Sequence, residues 1–94
     1  MDYIKLNGKD HPFWYAVKAQ REVAKVNLED KDQVYFIWIG LKYGALKEKK
    51  DFKLTEDELL DIFEDNVEEY VQASELLDDQ MGKLLVKRVG KMKT

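Results

Sequence analysis

Apolar and polar positions alternate over Tyr3-Ile4-Lys5-Leu6, and the alternation stops at Asn7-Gly8. A period of two is what a strand with one covered face requires, and Asn-Gly tolerates the positive φ angles of a two-residue type I′ turn. A β-hairpin is therefore predicted over about residues 3–14. Pro12 has no N–H to give to a ladder, so the second strand is expected to lie at an edge or to begin late.

From Trp14 the spacing becomes helical. Phe13, Ala16, Val17, Gln20, Val23 and Ala24 fall on one side of a helical wheel, with Lys18, Arg21, Glu22 and Lys25 on the other. This predicts a first helix over about 14–27. Asp32 is placed to cap a second helix over about 33–47. That helix has two apolar stripes where a surface helix has one: Val34, Ile37, Trp38, Leu41 and Ala45 on one side, and Tyr35, Phe36, Ile39, Tyr43 and Leu46 on the other.

Thr55-Glu56-Asp57-Glu58 is a capping box, and its acids suit the positive end of a helix dipole. A third helix over about 56–72 would bury Leu59, Leu60, Ile62, Phe63, Val67, Tyr70 and Val71, with Asp61, Glu64, Asp65 and Glu68 opposite. A fourth, capped by Ser74 and running over about 75–89, would turn Leu77, Met81, Leu84 and Leu85 inward. The pattern gives an α+β, mainly helical fold, an N-terminal β-hairpin followed by about four short helices, in one domain spanning 1–94. Ninety-four residues are near the lower end of sizes that fold unaided.

Composition narrows the function mainly by exclusion. The absence of cysteine rules out disulfides and thiolate metal sites. No signal peptide opens the chain, and the run Val34 to Ile39 is too short to span a bilayer, so a soluble protein with no membrane partner is expected. Between Thr55 and Gly82 acids abound with no Lys or Arg; from Lys83 the sign reverses through Lys87, Arg88, Lys91 and Lys93. So acidic a half repels phosphates and argues against a nucleic-acid partner, and the basic tail is better suited to the domain's own acids. The alternative kept open is a small nucleic-acid-binding regulator with a helix-turn-helix-like helical part.

No catalytic constellation emerges, and neither a cofactor, a metal nor a small-molecule substrate is expected. His11 is the single histidine and reads as an exposed turn residue. Ser74 has no second histidine to activate it. The acids of the third helix lack the Glu-x-x-His pairs of a di-metal bundle, and Asp30-Lys31-Asp32 lacks the third ligand and glycine of a calcium loop. Gly40 and Gly44 are spaced as in close helix contacts but belong to no phosphate-binding fingerprint. What remains is the doubly apolar helix. Either the rest of the domain covers both stripes, or Tyr35, Phe36, Ile39, Tyr43 and Leu46 form a patch for a partner or a second copy.

The order of motifs resembles a known family. The hairpin carrying Asn7-Gly8-Lys9, the aromatic strand end Phe13-Trp14, the hydrophobic helix through Trp38-Ile39-Gly40-Leu41-Lys42 and the helix start Leu54-Thr55-Glu56-Asp57-Glu58-Leu59-Leu60-Asp61 are similar to the tail assembly chaperones of long-tailed bacteriophages and prophages. The resemblance covers roughly the first seventy residues. It implies a non-catalytic protein of the bacterial host cytoplasm that binds and coats the tape measure protein during tail morphogenesis and associates with itself.

Overall fold

The computed structural model describes residues 1–27, 29 and 31–92, with side-chain surroundings given as far as residue 84 apart from 28 and 30. The elements run β1 (Asp2–Leu6), β2 (Lys9–Phe13), α1 (Val17–Val23), α2 (Gln33–Lys47), α3 (Glu56–Asp65) and α4 (Val67–Met92). The fold is α+β and mainly helical, as the sequence pattern predicts.

The hairpin follows from its local sequence. Asn7 and Gly8 have φ of 53° and 79°, the double positive φ of a type I′ turn, and Leu6 faces Lys9 across it. Hydrogen-bonded and non-bonded pairs alternate away from such a turn, so the Tyr3–Pro12 pair is non-bonded and the missing proline N–H costs the ladder nothing. Both turn amides point at one carboxylate: Asn7 N–H donates to Glu69 Oε1 at 2.8 Å and Gly8 N–H to Oε2 at 3.1 Å.

The chain between β2 and α1 spends its amides on tertiary bonds. Trp14 N–H donates to the Gly40 carbonyl at 3.0 Å, and Tyr15 N–H to Gln80 Oε1 at 2.6 Å. These bonds tie residues 14 and 15 to α2 and α4, Ala16 is extended at φ −113° and ψ −170°, and α1 is confined to Val17–Val23 rather than the expected 14–27. Its inward face also differs from the wheel: Ala19 and Val23 are buried while Val17 and Gln20 are exposed. Glu22, expected outside, reaches Lys42 on α2.

Gln80 is the buried polar hub of this region, since its Nε2 also donates to Asp2 Oδ2 at 2.9 Å. Replacing it with leucine strands the Tyr15 N–H without an acceptor. Gln80→Leu is expected to lose about 1–3 kcal/mol in a urea melt; no loss would mean that water satisfies the amide.

Helix α2 is the axis of the molecule. Asp32 Oδ1 caps it by accepting Tyr35 N–H at 3.2 Å, as predicted. Every residue from Val34 to Ala45 is buried or half-buried, with β2, α1, α3 and α4 all packed against it. The helix ends in a Schellman motif: Lys50 N–H donates to the Ala45 carbonyl and Lys49 N–H to that of Leu46, with Lys49 at φ 57°. That backbone conformation suits glycine, so Lys49→Gly is expected to stabilise the domain by about 1 kcal/mol. The check is a rise of roughly 4–8 °C in Tm.

Helix α3 opens with the predicted capping box, Glu58 N–H to Thr55 Oγ1 and Thr55 N–H to Glu58 Oε1, both at 3.1 Å. It buries Leu59 and Phe63 but leaves Leu60 exposed. The expected third and fourth helices are divided elsewhere. The break falls at Asn66, and α4 runs through Ser74 without interruption. At Asn66 the backbone leaves the helical conformation, at φ −134° and ψ 75°, and its side chain pins the corner: Nδ2 donates to the Ile62 carbonyl at 3.2 Å and to Asn7 Oδ1 at 3.0 Å. Val67 and Val71, expected inside, are exposed on α4. Ser74 is thus mid-helix and caps nothing; its buried Oγ has no partner among the described residues. The side chains of Leu85, Lys87 and Arg88, as well as Leu28 and Asp30, lie outside the described residues.

Candidate interaction surface

Most of the area of the two α2 stripes is closed within one chain. Tyr35 is 6% exposed and Ile39 1%, both inside the core. Phe36 and Tyr43 are half-buried against it. Helix α1 covers this side: Glu22 Oε1 accepts Lys42 Nζ at 2.9 Å and Tyr43 OH at 3.3 Å. The hydrogen bond to Glu22 holds the Lys42 ammonium above its ordinary pKa, and burial pushes the Tyr35 phenol up. Tyr35 and Ile39 are therefore structural residues, which corrects the expectation that they meet a partner. On the first stripe Val34, Ile37, Leu41 and Ala45 are buried as expected. Trp38 is half-buried, its indole N–H donating to the Leu54 carbonyl at 2.8 Å and its ring 5.7 Å from that of Phe52.

Leu46 alone of the five is open, at 59% exposure on the last turn of α2. Beside it in sequence, Lys47 holds its ammonium 4.9 Å over the Trp14 ring, within cation–π range. Glu48 next accepts the Tyr3 hydroxyl, and this bond holds the Glu48 carboxyl below the usual range. Tyr3 lies opposite Pro12, so strand alternation places Met1, Tyr3 and Trp14 on one side of the hairpin. All three are exposed. An aromatic surface thus forms where the open end of the hairpin meets the end of α2. A signal for it was present: Tyr3 is out of phase with the buried Ile4 and Leu6. The joining of Tyr3 and Trp14 to α2 through Glu48 and Lys47 had no local signature.

The remaining candidates stay apart. His11 is not a turn residue; it sits within β2 opposite Ile4 and is half-buried. Asp61, Glu64, Asp65 and Glu68 are exposed, and Asn66 breaks the helix between them. Among the described residues, no three His, Asp or Glu side chains come together as a metal site. Lys83 pairs with Asp79 on its own helix at 3.1 Å. Helices α3 and α4 are joined through Asn66 alone, whereas a helix-turn-helix needs a three- to four-residue turn. No helix among the described residues is long and apolar enough to cross a membrane. In comparisons with known proteins, no family model, no curated protein and no solved structure matches this chain.

Proposed function

We propose that this chain is a non-catalytic tail assembly chaperone of a long-tailed phage or prophage, acting in the bacterial host cytoplasm. Its client is the tape measure protein, whose long apolar helical segments it coats during tail morphogenesis. The sequence resemblance supplies the family. The observation that carries the binding role is the exposure of Tyr3 and Trp14 at the open end of the hairpin and of Leu46 on the last turn of α2, because aromatic and aliphatic side chains of this kind anchor apolar helices. In this reading the client contact falls on those three residues, and Tyr35 and Ile39 serve the core. Self-association uses the same surface.

The test titrates the protein with helical fragments of the tape measure protein from the same phage or prophage, following tryptophan fluorescence and light scattering. Changing Tyr3, Trp14 and Leu46 together to serine should weaken binding at least about 30-fold, the equivalent of one interfacial hot spot. Far-UV circular dichroism should be unchanged, because all three side chains are exposed. A strict monomer that ignores every fragment would falsify the chaperone reading.

A further inference from the structure

On the far side of β2 from its turn, the last turns of α2 and the loop 50–54 enclose a cavity of about 140 Å³. Its walls are apolar, formed chiefly by Leu41, Ala45, Phe52 and Leu54. A cavity of about 150 Å³ is large enough for a benzene ring. Three basic residues are also among its lining, His11, Lys50 and Lys53, with the single acid Asp51. The His11 imidazole makes no hydrogen bond to any described residue. Burial, followed by the charges of Lys50 and Lys9, lowers its pKa, with Asp10 opposing; near neutral pH the ring is uncharged and keeps one N–H to donate. Lys50 is shared with Glu48 at 3.2 Å, whereas Lys53 has no ion pair among the described residues.

We propose that this cavity binds a carboxylate with a compact apolar tail, the tail against Leu41, Ala45, Phe52 and Leu54 and the carboxylate among His11, Lys50 and Lys53. Glu48 offsets Lys50 and Asp51 stands against Lys53, so the charges balance with His11 neutral, and an anion is selected by the His11 N–H and the Lys53 ammonium. The walls select its apolar end. Such a group is found in small aromatic or branched aliphatic acids and at a polypeptide C-terminus ending in an apolar residue. This site does not depend on the chaperone reading, since it uses none of Tyr3, Trp14 and Leu46.

His11 is the only histidine, so its ring proton resonance is unambiguous in NMR. Two ligands are titrated in separate arms, benzoate and a tetrapeptide ending in leucine. At roughly −0.3 kcal/mol per non-hydrogen atom, benzoate should bind with Kd on the order of 10 mM. The His11 signal should shift saturably, and its titration midpoint should rise by about 1 pH unit as a carboxylate offsets the lysines. Lys53→Ala should weaken binding about 5-fold and Asp51→Asn should tighten it about 3-fold; both residues are exposed, so neither change threatens the fold. Tighter binding of the peptide identifies a polypeptide terminus as the source, and tighter binding of benzoate a free acid. The proposal is overturned if neither ligand moves His11, if uncharged benzyl alcohol binds as well, or if Lys53→Ala changes nothing.

Discussion

Gly44→Ala is expected to destabilise the domain by about 3 kcal/mol or more, although the same change in most helices stabilises by about 1 kcal/mol. A Cβ at this position would lie 2.5 Å from the Pro12 carbonyl carbon and 2.7 Å from the Phe13 nitrogen. The obstacle is backbone, and it cannot rotate away. On one side β2 is held by its ladder to β1, and on the other by the Trp14 N–H to Gly40 carbonyl bond. Relief requires lifting the whole hairpin off α2, which would expose Phe13 and disturb the amides around it. In a thermal melt the loss corresponds to roughly 12–24 °C for a chain of this size. A Tm equal to or above that of the parent protein would show that the strand and helix are not in the close contact described.

Phe13→Ala is the second large effect, expected at about 3–5 kcal/mol because the ring is fully buried where β2 meets α2. Its value lies in the pair it forms with Gly40. A Cβ on Gly40 would sit 2.5 Å from Phe13 Cζ and 2.9 Å from Cδ2. Gly40→Ala alone should therefore cost about 1–3 kcal/mol by overpacking. Placed on the Phe13→Ala background, the new methyl enters vacated space and gains the helix preference of alanine, so its cost should vanish or change sign. The cycle of four proteins measured in urea should show a coupling of about 1–3 kcal/mol. Strict additivity would mean that the ring does not press on Gly40. The two glycines differ in kind. Side-chain removal can rescue Gly40→Ala, but nothing short of moving the strand can rescue Gly44→Ala.

The features legible in the sequence were those determined by neighbours along the chain. Asn7-Gly8 specified the turn through its positive φ angles, and Asp32 the start of α2 and the Thr55–Glu58 box the start of α3 through bonds between residues three apart. The two stripes of α2 were legible as well, but not what covers the second. That depended on Glu22 reaching Lys42 and Tyr43, about twenty positions away. The face of α1 was misread because Ala and Val are spread nearly all round that segment, so its wheel has little direction. The helix break at Asn66 had no glycine or proline nearby to announce it, and the bond that pins the corner runs to Asn7, 59 positions away. Leu46 was the one member of the expected partner surface to remain open. Tyr3 and Trp14 were visible as aromatic residues, and their gathering at the end of α2 required the tertiary structure.

The carboxylate of Glu69 on the hairpin amides, and Gln80 on Tyr15, have a consequence for the order of events during synthesis. A lone two-stranded hairpin is marginal in water. The groups that anchor this one lie 61 to 65 positions further along. At 5–20 residues per second, translation leaves about 3–13 s between the emergence of the hairpin and the appearance of its anchors. Through that interval Ile4, Leu6 and Phe13 have no finished core to enter. The nascent N-terminus must therefore wait, without its partners, until the last helix is made.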